Sequence, residues 1–161
     1  MAIRQPIVMN NGVMQQLQAG DAISVPANTP SIRSITNAES SVAVVFGTPL
    51  YASAADQSKR AQANTMTTAT VTGLVYDPTI AAGATGYQAS SNVLVGTTAQ
   101  WDVVAGTTGG LAFGQRYFLD PSNVGKITST APTSAGQYVV LIGIAISTTE
   151  LELKIGDPIL L

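Results

Sequence analysis

The chain has no cysteine and no histidine. Without cysteine there is no disulfide framework and no thiolate zinc site. Without histidine the commonest general base and metal ligand near neutral pH is missing, and Ser-His-Asp or Cys-His nucleophiles are excluded. Charge is scarce too: Asp, Glu, Lys and Arg make up 10% of 161 residues, against about 25% in ordinary globular domains. The seven Lys and Arg are scattered and the net charge is −2. Clustered cations of the kind that neutralise phosphates are lacking, so nucleic acid is not an expected partner. The longest apolar stretch, residues 139–146, contains Gly143 and falls far short of the ~20 residues of a membrane helix. The start, MAIRQPIVMNNGVMQQL, lacks the apolar core of a signal peptide. The expectation is a soluble protein made in the cytoplasm, without a membrane partner.

What remains is apolar residues at 45% and a polarity supplied mainly by Thr, Ser, Gln, Asn and Gly. Domains of this size bury roughly 68–70% of the surface of the unfolded chain, enough for a real core. A surface of hydroxyls and amides carries little charge to keep copies apart, which favours association.

Turn signals divide the chain into short β segments. Residues 5–9 and 13–17 flank Asn10-Asn11-Gly12, and Asn-Gly favours the positive φ of tight hairpin turns. A turn at Ala19-Gly20-Asp21 precedes a further short run at 22–25. Residues 26–41 read as a loop with a strand at 31–35, and residues 41–46 (SVAVVF) as a β-branched strand. Residues 52–63, with good helix formers and no Gly, Pro or β-branched residue, read as a short helix or a loop. From Thr65 onward strands are expected at 67–76, 87–95, 99–104, 116–119, 126–130, 137–147 and 150–155. Gly and Pro punctuate them every 8–12 residues or so, which predicts an all-β fold, an antiparallel sandwich or barrel of jelly-roll-like kind. Residues 1–25 form an N-terminal hairpin arm in this reading, and residues 26–161 the β domain. In ELELKI, Leu151, Leu153 and Ile155 share one face and Glu150, Glu152 and Lys154 the other, a half-buried strand. Residues 138–146 are apolar throughout, which predicts burial on both faces, in a core or at a subunit contact. The contact residues are Val139, Val140, Leu141, Ile142, Ile144 and Ile146. Gly143 among them signals a bulge or a close backbone approach.

Chemistry-bearing groups are few. Glu150 and Glu152 lie roughly 6–7 Å apart along one strand, within the range of glycosidase carboxylate pairs, but Lys154 beside them makes a solvated ladder the simpler reading. Ser58-Lys59 are adjacent, and on a helix such neighbours do not face each other. Asp77, Asp120 and Asp157 each precede Pro, which is turn initiation, and no calcium-loop pattern exists. GTTGG at 106–110 has no following Lys, so it is no phosphate loop. Trp101 belongs to a core or interface, with a sugar platform as the alternative for it and Tyr117. Arg116, Asp120 and Lys126 are surface groups of a hairpin. No catalytic, cofactor or metal site is expected.

The segment GLAFGQRYFLDPSNVGKITSTAPTSAGQYVVLIGIAISTTELELKI, residues 110–155, carries a recognisable pattern. Gly-Leu is followed by Gly-x-x-Tyr-Phe-Leu, an Asp-Pro turn and Ile-Thr-x-Thr-Ala-Pro. Gly-x-x-Val-x-x-Ile-Gly-x-Ala and Ser-x-Thr-Glu-Leu come next. It resembles a β-meander module of tailed-phage virion proteins, found in head-decoration, head-fibre and tail-fibre subunits. IRQPIVMNNGVMQQLQAGD is similar to the N-terminal region of such fibre and decoration proteins. The resemblance implies a capsid-decoration (cement) subunit on the outer surface of the phage head, a homotrimer whose partner is the major capsid protein. The arm residues Arg4, Gln5, Pro6, Ile7, Val8, Met9, Val13, Met14 and Leu17 would clasp the capsid. Two alternatives are a tail-fibre or baseplate subunit touching host sugar through Trp101 or Tyr87, and a polysaccharide enzyme using Glu150 and Glu152.

Overall fold

A computed structural model describes the backbone of residues 7–10 and 13–16 and the whole of residues 29–161. Strands β1 (Ile7–Asn10) and β2 (Val13–Gln16) pair antiparallel, with Met9 opposite Met14. Then come β3 (Ser31–Asn37), β4 (Val44–Val45), β5 (Pro49–Ala54) and β6 (Gln57–Arg60). Helix α1 (Met66–Ala69) leads into β7 (Val71–Val75), β8 (Thr79–Ile80) and β9 (Thr85–Val95). Helix α2 (Thr98–Ala105) precedes β10 (Arg116–Leu119), β11 (Ile127–Thr128), β12 (Tyr138–Val139), β13 (Leu141–Ala145), β14 (Glu150–Leu153) and β15 (Ile159–Leu160).

Nine strands form one sheet in the order β11-β10-β13-β14-β9-β3-β6-β5-β7, and β7 pairs back onto β9. The last five therefore close into a barrel. Ile35, Val44, Leu50, Val75 and Ile80 make one apolar cluster with it, each 2% exposed or less. Fully burying a side chain of this size contributes roughly 1.5–3 kcal/mol. Strand β9 serves both halves of the sheet. It pairs with β3 from Thr85 to Ser91 and with β14 from Asn92 to Val95. At the changeover Asn92 adopts φ 64, a left-handed conformation that Asn tolerates, and its side-chain amide donates to Thr29 O at 2.8 Å. The four-stranded extension covers a larger core built from Trp101, Tyr117, Leu119, Ile127, Ile142 and Leu151, among others.

A mostly β, barrel-forming chain matches the expectation; several details do not. The β3–β6 pairing is parallel, so the fold is not wholly antiparallel, although the closed strand order agrees with the barrel alternative. Residues 52–63, expected as helix or loop, contain the end of β5, all of β6 and the turn between them, where Asp56 takes φ 54. Sheet pairing on both sides overrides the weak helix propensity of an Ala-rich run. Residues 99–104 are helix, not strand. The stretch at 137–147 splits into β12, which pairs with β15, and β13, which pairs with β10 and β14. The expected turn at 19–21 and run at 22–25 lie outside the described residues. Among the described residues no helix is long and apolar enough to cross a membrane.

Candidate functional site

Helix α2 owes its start to Thr97, whose hydroxyl accepts from Gln100 N while the Gln100 side chain accepts from Thr97 N, a reciprocal cap. It ends at Gly106, φ 64, where a side chain would be strained. This frame sets Trp101 in the core at 0% exposure. Its indole N–H donates to Thr149 O at 2.9 Å, and Phe46 meets the ring edge-on at 5.3 Å between centroids. Trp101 is thus a core residue, and so is Tyr117, whose hydroxyl accepts from Ala112 N. Tyr87, by contrast, is 47% exposed.

The glycine-rich loop after α2 encloses a carboxylate of the chain itself. Asp102 accepts from Gly110 N at 2.7 Å, Thr107 Oγ1 at 3.0 Å and Gly109 N at 3.1 Å. The Gly110 bond, with those from Gly109 and Thr107, holds its carboxyl below the usual range, against a smaller opposing effect of desolvation. The backbone N–H groups of Gly109 and Gly110 are thereby taken up by the chain's own carboxylate.

Asp120 caps its own turn, accepting from Ser122 N, Asn123 N and the Asn123 amide. Asp77 accepts from Tyr87 N at 2.9 Å. Lys126 donates to Val103 O at the end of α2, where the helix dipole favours a cation. Arg116 and Lys126 are thus far apart in role, and the β10–β11 hairpin predicted from sequence is present. Ser58 is buried in β6, its hydroxyl without a hydrogen-bond partner among the described residues; Lys59 next to it is half-buried. Glu39 accepts from the Arg60 guanidinium at 3.1 Å. Burial raises its carboxyl, but the Arg60 hydrogen bonds and the charges of Arg60 and Lys59 outweigh that and hold it low.

The strongest candidate is a surface rather than a catalytic centre. The bulge predicted at Gly143 is present: Tyr117 pairs with Gly143 and Phe118 with Leu141, so Ile142 is skipped. A Cβ on Gly143 would collide with Glu152 O. Val140, Ile142 and Ala145 point into the core. Leu141, Ile144 and Val139 are only half-buried, and Ile146 is 39% exposed. Burial on both faces therefore fails within one chain. Cross-strand pairing places Arg116, Ile144, Glu152 and Val93 in one row of the outer face. Ile146, Glu150 and Val95 follow two residues along, with Ile146 N donating to Glu150 O. Glu152 pairs with Lys154 at 3.1 Å, as the ladder reading requires.

Sequence reading missed a shallow groove of about 250 Å³ lined by Val45, Phe46, Pro78, Ala99, Gln100 and Val103. Thr97 with Gln100 and a terminal Gly106 was the available signal for its helical wall. Phe113, 82% exposed in the loop before β10, carried no periodicity to mark it. Of the arm residues, Arg4, Gln5, Pro6 and Leu17 lie outside the described residues, while Ile7, Val8 and Met9 fall in β1 and Val13 and Met14 in β2. No protein-family model and no curated protein matches the sequence.

Proposed function

We propose that the protein is a virion structural subunit of a tailed phage that decorates and stabilises the assembled head. The observation that carries this reading is residues 110–155. The stretch that resembles the phage virion module supplies β10, β11, β13 and β14 as four consecutive strands of the sheet, whose outer face mixes Ile144 and Ile146 with Arg116, Glu150 and Glu152. Such a subunit acts through surfaces, and its chemistry is mass action. Binding the closed lattice and not its loosened form stabilises the lattice by RT ln(1 + [L]/Kd), about 2.7 kcal/mol at 100 Kd.

In this reading copies assemble as a homotrimer, and the segment containing β1 and β2 reaches the major capsid protein through Ile7, Val8, Met9, Val13 and Met14. Gold-labelled antibody against the protein, imaged on intact virions by electron microscopy, is the test. Label spread over the head supports the proposal. Label confined to the tail overturns it in favour of a fibre or baseplate subunit, in which any sugar contact falls to exposed Tyr87, because Trp101 is enclosed.

A further inference from the structure

We infer that the outer face of the β10-β13-β14-β9 sheet is a self-association surface, covered by a second copy of this chain. The inference goes beyond the proposed function: it concerns a two-fold contact between copies, apart from the homotrimer contact proposed above, and does not depend on a phage head.

Three features of the face lead there. Its centre is apolar: Phe118, Leu141, Ile144, Ile146 and Val95 project on this side, because their neighbours Tyr117, Leu119, Ala145, Leu151 and Leu94 fill the core on the other. Val95 is 60% and Ile146 39% exposed, while Phe118, Leu141 and Ile144 are half-buried. Second, its charges are split across β13. Arg116 stands on β10 and Glu150 on β14, two strand spacings across and two residues along, roughly 12 Å apart. Neither forms an ion pair among the described residues, whereas Glu152 is neutralised by Lys154. Among the described residues the face thus carries a cation without an ion-pair partner on one side of β13 and an anion without one on the other. Third, the rest of the surface carries too few charges to hold copies apart.

A patch with opposite charges on its two sides is complementary to itself. A second copy sets its Glu150 beside Arg116 of the first while Ile144 and Ile146 of the two copies pack together. A foreign partner would have no need of this antisymmetry. The arrangement also accounts for the sequence of β13, which is apolar on both faces although a single chain covers only one. Desolvated close ion pairs at such a contact carry orientation as much as affinity.

The test is a charge exchange read by sedimentation equilibrium of the full chain in the micromolar range. The wild type is expected to associate. Arg116→Glu and Glu150→Arg are each expected to weaken association at least tenfold, by setting like charges against each other. The double variant Arg116→Glu/Glu150→Arg is expected to recover it. Ile146→Lys, at an exposed position that the fold does not need, is expected to dissociate the protein as well, and circular dichroism confirms that each variant is folded. A monomeric wild type, single reversals without effect, or a double variant that stays apart overturns the inference. Capsid labelling has no part in this measurement, so its failure and that of the proposed function are read separately.

Discussion

The indole N–H of Trp101 and the backbone N–H of Gly96 both donate to the carbonyl oxygen of Thr149, each at 2.9 Å. One acceptor in the β13–β14 turn thereby ties down helix α2 and the strand end before it. Because the oxygen keeps a second donor, removing the indole N–H alone is milder than leaving a carbonyl orphaned. Trp101→Phe is expected to lower unfolding free energy by about 1–2 kcal/mol, and Trp101→Ala by about 3–5 kcal/mol through the cavity beside Phe46. Urea midpoints followed by circular dichroism check both. Equal losses in the two variants would show that packing around the ring is not what matters.

Ser58 has the opposite problem. Its hydroxyl is buried and has no hydrogen-bond partner among the described residues. Removing an unsatisfied polar group relieves a desolvation cost of about 1–3 kcal/mol. Ser58→Ala is therefore expected to leave the thermal midpoint unchanged or raise it. A drop of several degrees would mean that the hydroxyl is bonded through a buried water.

Asp102 makes part of the stability pH-dependent. Its folded carboxyl titrates below its ordinary value of about 3.9. A depressed folded pKa stabilises the fold above the unfolded value, and that contribution disappears as pH falls through the folded one. Glu39 is held low as well and acts in the same direction. Wild-type thermal midpoints are expected to decline below about pH 4. Asp102→Asn should start lower at pH 7 and lose less on acidification, so the two curves converge.

Deleting residues 1–20 separates fold from attachment. The described core residues of both clusters all fall between Ile35 and Leu153, outside the deleted segment. The truncated protein is expected to keep its circular dichroism spectrum and lose binding to isolated heads. Continued decoration of heads would remove the arm from the mechanism.

What the sequence made legible was local. Arg116–Leu119 and its Asp120 turn, the alternation of Leu151 and Leu153 against Glu150 and Glu152, and the bulge at Gly143 depend on neighbours a few residues away. Helix α2 was hidden because Val103 and Val104 look like strand residues, and only the Thr97–Gln100 cap argues otherwise. Strands β5 and β6 were hidden because Ala-rich chain takes whatever structure its partners impose, and those partners, β7 and β3, are distant in sequence. The division of residues 138–145 between two partners is likewise set by β15 and β10. The outer face of β13 was sensed as an excess of apolar residues, but the charges flanking it become meaningful only once register places Arg116 and Glu150 on the same side.

Strand β9 has a consequence for how the molecule comes apart. Its amides and carbonyls bond to β3 and β7 over one stretch and to β14 over the next, so neither the barrel nor the extension can open without stripping a strand the other needs. Melting is therefore a single event, and the protons slowest to exchange with solvent belong to residues 86–94, released only when the whole fold is lost.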